Sequence, residues 1–185
     1  MPISNQLYKG NLIAFSSIDH ENDPMIEVSW SNNSVFMRSM YIEPMKPRSL
    51  FEIKKKYEEI EKQCEEEKNR FHYQVRSTLD NRLLGFCEIN SISWTNRSGS
   101  ITLGIGDPAD HRKGIGSEIL KMLMDIAFTE LNLERLSALI PEYDLGACAL
   151  FERAGFAFEG RRREAIFRDL RRWDILHYGL IKVAL

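Results

Sequence analysis

Asp110-His111-Arg112-Lys113-Gly114-Ile115-Gly116-Ser117 joins an extended apolar run to an amphipathic helix. Before it, the alternating residues 101–106 predict a strand, which Asp107-Pro108 ends because proline cannot donate a ladder hydrogen bond. After it, apolar residues at helical spacing predict a helix from about Gly114: Ile115, Ile119, Met122, Leu123 and Ile126. The first N–H groups of that helix lack intrahelical partners and carry the positive end of its dipole, which favours an anion such as a pyrophosphate.

Two other glycine-rich phosphate motifs do not fit this loop. A P-loop needs Gly-Lys-Ser/Thr, whereas the order here is Lys113-Gly114. The dinucleotide-binding fingerprint needs a third glycine and an acidic residue after the next strand, and neither is in the required place. On this motif alone, a purely structural turn before a helix remains an equal alternative.

A second motif follows at residues 144–160, which read Asp-Leu-Gly-Ala-Cys-Ala-Leu-Phe-Glu-Arg-Ala-Gly-Phe-Ala-Phe-Glu-Gly. With this motif in order after His-Arg-Lys-Gly-Ile-Gly, the chain resembles the GNAT superfamily of acetyl-CoA-dependent N-acetyltransferases. Within it, the chain is most similar to the branch typified by the ribosomal-protein alanine acetyltransferases, which also contains many small-molecule acetyltransferases. A looser similarity extends from Tyr8-Lys9-Gly10-Asn11 to Trp173-Asp174.

The resemblance implies an α/β fold with a mixed, mostly antiparallel central sheet flanked by helices. Two of its strands, here residues 101–106 and 136–140, splay apart to form a wedge for acetyl-CoA. Backbone groups near residues 103–105 would pair with the pantetheine amides, and those of residues 112–117 would hold the pyrophosphate, with charge from Arg112 or Lys113. The implied cofactor-binding residues are Leu103, Gly104, Ile105, His111, Arg112, Lys113, Gly114, Ile115, Gly116, Ser117, Asp144 and Phe151.

Three residues depart from the pattern of this branch. His111 stands where Arg or Gln is usual, Asp144 replaces an Asn, and Phe151 replaces a Tyr that often serves as general acid. An ionised Asp144 can accept but not donate a hydrogen bond, and Phe151 cannot protonate the leaving thiolate. Because a coenzyme A thiol resembles cysteine, with a pKa of about 8.5, it can leave without a proton donor.

The implied reaction is direct attack of a primary amine on acetyl-CoA. An alkyl ammonium has a pKa of about 10.4, so some group must first remove a proton. The family often has Glu near the position of Ser100, and this chain does not. Glu88, in the otherwise apolar stretch 83–89, is the predicted catalytic base. The alternative is that Glu88 faces solvent from a half-buried sheet.

Composition agrees with one enzyme-sized domain, residues 1–185. Of the 185 residues 43% are hydrophobic, and the net charge of −2 argues against general nucleic-acid binding. Residues 1–6 lack a secretory pattern and no apolar run is long enough to span a membrane, so we expect a cytoplasmic protein. The three cysteines and four histidines show no metal-ligand spacing, so we predict no metal.

The remaining pattern predicts the other elements and two charged surfaces. Helices are predicted at 49–68, 114–131 and 146–154, and strands at 71–75, 83–92, 100–106, 135–140, 156–162 and 174–183. The helix 49–68 has a heavily charged face, which is either solvated or an acidic rim that attracts amines. A basic cluster is predicted on a surface hairpin, either solvated or binding something acidic: Arg161, Arg162, Arg163, Arg168, Arg171 and Arg172.

Two functions remain open at this point. The favoured one is an N-acetyltransferase acting on a small-molecule amine or a protein N-terminus. The alternative is an acyl-CoA-binding regulatory module that has lost turnover, which the residues Ser100, Asp144 and Phe151 suggest. Asp174 and Tyr178 either line the acceptor pocket or serve the core, and exposed sheet edges could support a homodimer.

Overall fold

The computed structural model describes residues 7–182, so Met1–Gln6 and Val183, the predicted end of the last strand, lie outside the described residues. In chain order the elements are β1 (Ile13–Ser16), α1 (Asp23–Ser31), α2 (Ser34–Met40), α3 (Leu50–Glu67), β2 (Phe71–Ser77), β3 (Leu83–Ser93), β4 (Ser98–Ile105), α4 (Ile115–Asp125), β5 (Arg135–Pro141), α5 (Leu145–Arg153), β6 (Ala157–Arg168) and β7 (Arg171–Ile181). None of the helices in residues 7–182 combines the length and apolar character needed to cross a membrane.

The strands form one seven-stranded sheet in the order β1-β2-β3-β4-β5-β7-β6. Every neighbouring pair is antiparallel except β4 and β5, which run parallel. Pairing between β4 and β5 starts at Ser98↔Arg135 and stops at Ser100↔Ser137, although both strands continue. The expected mixed, mostly antiparallel sheet with a splayed central pair is therefore confirmed.

The main core lies between the sheet and α4. Ile119, Leu120 and Leu123 on α4 are fully buried and pack in one cluster with residues of the sheet such as Ile89 and Leu136. The predicted helix 114–131 corresponds to α4 and a π-helical turn that continues it, Ile126–Glu130. The amphipathic spacing in the sequence therefore identified both the helix and its buried face.

The sequence analysis did not predict β1, α1 or α2. The two helices pack on the sheet face opposite α4, where Trp30, Phe36 and Met37 contact Phe86. Gly106 permits this packing, because a β-carbon there would lie 1.9 Å from the Trp30 ring. Helices of nine and seven residues are marginal alone and depend on tertiary contacts, so their periodicity is weak.

The last two strands form a long hairpin, as the basic cluster predicted. β6 and β7 extend beyond the predicted strands 156–162 and 174–183, with pairing from Ala157↔Gly179 to Arg168↔Arg171. Asp169 and Leu170 make the turn with φ of 52° and 55°, the left-handed backbone of a two-residue hairpin. β6 is an edge strand of the sheet, so the hairpin lies at its border.

Candidate functional site

A cleft opens where β4 and β5 diverge. It encloses about 650 Å³ and is lined by four parts of the chain: residues 103–105 of β4, the loop and first turn of α4, α5 with its N-cap, and one side of α2. Of the twelve predicted cofactor-binding residues, nine line it: Leu103, Gly104, Ile105, His111, Arg112, Gly114, Gly116, Ser117 and Asp144.

The loop before α4 turns the helix N-terminus toward this cleft. Arg112 and Gly114 have positive φ, 59° and 85°, and Gly114 is the N-cap. The Gly114 carbonyl accepts the first helical bond, from Glu118 N at 3.0 Å, so the N–H groups of residues 115–117 have no helical partner. At Gly116 a β-carbon would press on Leu150 at 3.3 Å, so glycine keeps this part of the cleft open. These features fit an anionic group at the helix end.

The charges around the helix end agree with that fit. Arg112 and Arg153 line the cleft, and within residues 7–182 neither forms an ion pair with a carboxylate. Lys113 instead lies 3.2 Å from Asp110. Glu118, the acid in the first turn of α4, is engaged elsewhere, because its carboxylate accepts the N–H groups of Asn11 and Leu12. The cleft therefore carries free positive charge beside the helix N-terminus.

Asp110 anchors the same loop to the sheet. This buried carboxylate accepts two hydrogen bonds from Arg82, each 2.7 Å long. The hydrogen bond from Arg82 is the main reason that the pKa of Asp110 lies below its usual value, and Lys113 adds to the effect against the opposing influence of burial. The ion pair holds the loop at the point where it enters the cleft.

His111 and Asp144 both line the cleft and both have structural roles. His111 Nε2 lies 3.3 Å from the Ile105 carbonyl oxygen, to which it can only donate, so the ring braces the loop against β4. Asp144 is the N-cap of α5 and accepts the N–H of Ala147 at 2.9 Å. Within residues 7–182, no three His, Cys, Asp or Glu side chains are arranged to hold a metal ion.

The other three predicted cofactor-binding residues do not line the cleft. Lys113 is exposed on the loop, and Ile115, the first residue of α4, is buried in the core. Phe151 is 4% exposed and packs edge-on against Phe156, with ring centroids 5.0 Å apart. Its neighbour Leu150 lines the cleft.

Glu88 lies on β3, next to β4, in a buried polar network. Arg70 donates to its Oε2 from Nε and Nη2 at 2.9 and 2.6 Å, and His72 Nδ1 lies 3.4 Å from the same oxygen. Asn90 Nδ2 donates to Glu88 Oε1 at 2.9 Å and to Thr102 Oγ1 at 3.1 Å. Burial raises the pKa of Glu88, but the His72 hydrogen bond and the Arg70 charge outweigh it, so the pKa lies below its usual value.

The residue that stands for the usual family Glu has a different role. Ser100 Oγ lies 2.8 Å from Ser137 Oγ, across the last residue pair that joins β4 to β5. This contact closes the narrow end of the wedge. The carboxylate that hydrogen bonds connect to this part of β4 is that of Glu88. Asn90 Nδ2 donates to both Glu88 Oε1 and Thr102 Oγ1.

The sequence analysis missed one wall of the cleft. Val35, Phe36, Ser39 and Met40 of α2 line it, as does Arg153 of α5. Gly104 lets α2 approach, because a β-carbon there would lie 2.7 Å from the Met40 sulfur. Asn33 caps α2 by accepting the Val35 N–H at 2.9 Å, and this Asn before an apolar run was the available signal for the helix.

Known proteins are similar to this chain in sequence and in fold. The family model of the acetyltransferase (GNAT) domain matches residues 14–157. The probable N-acetyltransferase YjcK of Bacillus subtilis (strain 168) is 33% identical over 104 residues, 55% of this chain and 56% of that protein. The match therefore spans little more than half the length of this relative.

Two solved structures have the same fold. The spermidine N-acetyltransferase from Vibrio cholerae, in complex with CoA and spermine, has a TM-score of 0.77 and 22% identity, covering 93% of this chain and 96% of that one. A ribosomal L7/L12 alpha-N-protein acetyltransferase in complex with coenzyme A has a TM-score of 0.80 and 18% identity, covering 93% and 95%. With a splayed wedge, a helix N-terminus in the cleft and a family model that matches most of its length, the chain belongs to the acetyltransferase (GNAT) family.

Proposed function

We propose that this chain is an acetyl-CoA-dependent N-acetyltransferase that acts on a primary amine, either of a small molecule or of a protein N-terminus. The observation that carries the proposal is the divergence of β4 from β5 after Ser100↔Ser137, beside the free N-terminus of α4. A molecule with a diphosphate and an amide-containing arm fits this cleft, because the N-terminus of α4 and the stretch of β4 that is not paired with β5 both line it. Relatives solved with coenzyme A support the same assignment.

Each part of the cleft has a role in this proposal. The N–H groups of residues 115–117, with Arg112 and Arg153, hold the diphosphate end. Residues 103–105 present their backbone to the pantetheine arm. Asp144 fixes the start of α5 beside that arm, and Phe151 supports α5 from the core.

The chemistry needs few side chains. When bound, acetyl-CoA supplies the thioester carbonyl that the amine attacks. A backbone N–H of β4 that faces the cleft stabilises the negative charge that develops on the carbonyl oxygen. A thiol with a pKa of about 8.5 leaves as the thiolate, so Phe151 in place of a tyrosine is compatible with turnover.

Glu88 is the base in this proposal. Its partner across the β3–β4 pair, Thr102, directly precedes Leu103 of the cleft wall. The ion pair with Arg70 keeps Glu88 ionised at neutral pH, so its carboxylate can accept a proton, and its lowered pKa makes it a weak base. Its burial on the strand next to β4, rather than exposure on the open surface, supports this role.

The test is release of free thiol from acetyl-CoA with a panel of polyamines, aminosugars, amino acids and short peptides. We expect amine-dependent release with at least one class. Arg112→Gln should raise KM for acetyl-CoA more than Lys113→Gln, its matched neighbour, because Lys113 is engaged by Asp110. Tight binding of acetyl-CoA without turnover on any amine would instead favour the acyl-CoA-binding regulatory module.

A single domain, a cytoplasmic location and a homodimer belong to the same proposal. Cys64, Cys87 and Cys148 are all free thiols, which suits a reducing compartment. β1, an edge strand of the sheet, could pair with a second copy. Sedimentation analysis checks the homodimer, and fractionation of the host cell checks the cytoplasmic location.

A further inference from the structure

We propose that the acceptor of this enzyme is a polypeptide with acidic residues close behind its N-terminal amine, and that the β6–β7 hairpin binds those acidic residues. The inference rests on the proposed N-acetyltransferase function and narrows its acceptor. Three observations support it. The hairpin contacts α2 and the residue before Asp144, three of its arginines have no carboxylate partner in residues 7–182, and its strand β6 lies at an edge of the sheet.

The hairpin is clamped to a wall of the cleft. Arg168 donates to the carbonyl oxygens of Arg38, Tyr41 and Glu43, at and just beyond the C-terminal end of α2. The carboxylate of Asp169, at the hairpin turn, accepts one hydrogen bond from each terminal nitrogen of Arg38, both 2.7 Å long. Because α2 lines the cleft, the hairpin borders the same opening.

A second contact ties the hairpin to the start of α5. Trp173 packs edge-on against Tyr143, with ring centroids 5.5 Å apart, and the residue after Tyr143 is Asp144 in the cleft wall. The Arg171 guanidinium lies 4.0 Å from the centroid of the Trp173 ring. Arg171 and Arg168 are partners across the strands and so share the hairpin face that docks on the cleft walls.

Three arginines of the hairpin carry free charge. Arg162, Arg163 and Arg171, here called the arginine surface, are exposed, and within residues 7–182 none has a carboxylate within 4.0 Å. Elsewhere the hairpin arginines are engaged, Arg161 by Asp174 and Arg172 by Glu164. The arginine surface therefore attracts anions.

The buried carboxylates on the α1 and α3 side of the sheet are neutralised, whereas exposed glutamates of α3 such as Glu58 and Glu59 have no cationic partner within 4.0 Å in residues 7–182 and do not line the cleft. Each buried one has a cationic partner, in the pairs Glu88–Arg70, Glu27–Lys56 and Asp23–Arg76. Asp144 is the carboxylate that lines the cleft, and it caps α5. At the cleft itself a polycation such as a polyamine meets this carboxylate together with Arg112 and Arg153, whereas a chain with carboxylates finds the arginine surface beside the cleft.

A polypeptide suits the hairpin better than RNA. β6 is an edge strand, so its outer N–H and C=O groups can pair with an extended peptide. Phe167 and Leu170 are 64% and 94% exposed and offer apolar contacts.

The test compares two peptides of equal length with the same small N-terminal residues, one continued by Asp and Glu and the other by Asn and Gln. For the unmodified enzyme we expect a KM about tenfold lower for the acidic peptide, an advantage that high salt removes. A triple variant, Arg162→Gln, Arg163→Gln and Arg171→Gln, should abolish this advantage and leave the Kd of coenzyme A unchanged.

The control removes the same charge far from the cleft. Lys54, Lys55 and Lys62 are exposed on α3, and their replacement by Gln should preserve the preference for the acidic peptide. Equal KM values for the two peptides would overturn the inference. So would a triple hairpin variant that changes only the oligomeric state of the enzyme. Tighter binding of a short RNA than of the acidic peptide to the hairpin would also overturn it. Absence of turnover on every amine would instead refute the proposed function itself.

Discussion

At the scale of single residues, Asp144 shows how a departure from the family pattern can keep a structural role. An N-cap needs only an acceptor oxygen, and Asp144 supplies one to the Ala147 N–H at 2.9 Å, as the usual Asn would. The carboxylate form adds negative charge at the positive end of α5, which is favourable there. The substitution therefore changes the charge of the cleft and preserves the helix.

The cap can be tested by two substitutions at this position. We expect Asp144→Ala to lower the free energy of unfolding by about 1 kcal/mol, because the Ala147 N–H loses its acceptor. Asp144→Asn should leave it within about 0.5 kcal/mol of the original value. Urea denaturation of both variants measures the difference, and equal losses in the two would contradict the capping role.

The catalytic assignment of Glu88 is also decided by one substitution. We expect Glu88→Gln to lower kcat strongly and to flatten the dependence of kcat/KM on pH, because the amide cannot accept a proton. Glu27→Gln is the matched control, since Glu27 is also buried and paired, with Lys56, but lies on α1 rather than on the strand next to β4. Unchanged kinetics for Glu88→Gln would remove this residue from the mechanism.

At the scale of elements, the loop before α4 depends on one ion pair. Asp110 is buried while its partner Arg82 is about half exposed, so the pair is worth about 1–3 kcal/mol rather than the value of a fully buried pair. Its loss would release the loop that presents the N-terminus of α4. Both the stability of the protein and its affinity for coenzyme A should then fall.

The pH dependence of this pair has a defined sign. The pKa of Asp110 is lowered in the folded state, so its contribution is present above the unfolded pKa of about 3.9 and is lost as the pH falls through the folded pKa. We expect Asp110→Asn to weaken the acid destabilisation seen in urea titrations below about pH 4. Asp125→Asn is the control, because Asp125 is exposed on α4 and, within residues 7–182, has no Lys or Arg nitrogen within 4.0 Å. If the stability of the unmodified protein and that of Asp110→Asn fell equally as the pH was lowered, the Asp110–Arg82 ion pair would not be what anchors the loop.

At the scale of the whole molecule, the β6–β7 hairpin joins two parts of the chain that are far apart in sequence. Arg168 donates to Tyr143 Oη at 2.5 Å and to the carbonyl groups at the end of α2, 125 or more residues away. α2 is short and has few stabilising features of its own beyond its Asn33 cap. The hairpin therefore helps to hold a wall of the cleft in place.

This clamp predicts a local rather than a global effect. We expect Arg168→Ala to increase amide hydrogen exchange in residues 34–43 and to raise KM for the acceptor, because three carbonyl groups lose a charged donor. Arg172→Ala should leave exchange in that segment unchanged, since Arg172 contacts only Glu164 and Phe167 on the opposite hairpin face. Faster exchange over the whole sheet would mean that Arg168 stabilises the fold in general.

The sequence predicted best those parts of the candidate site that are formed by backbone groups. Nine of the twelve predicted cofactor-binding residues line the cleft, because a glycine turn before an amphipathic helix is local information. The wall formed by α2 was missed, since its Phe36 and Met40 become cleft residues only by packing over Gly104. The ion pair of Glu88 with Arg70 was equally hidden, because neither residue type indicates its partner.

The sequence by itself determined the elements whose pattern is local: the α4 helix with its glycine loop, the apolar strands and the α3 helix. It also predicted the basic hairpin, although β6 and β7 extend further toward each other than expected and the turn lies at Asp169-Leu170. Tertiary structure alone decided which surfaces meet. It placed α1 and α2 on the second face of the sheet, paired each buried carboxylate with a cation, and seated the hairpin beside the cleft. The physical reason is that periodicity and capping act over a few residues, whereas burial and charge pairing depend on neighbours that only the folded chain brings together.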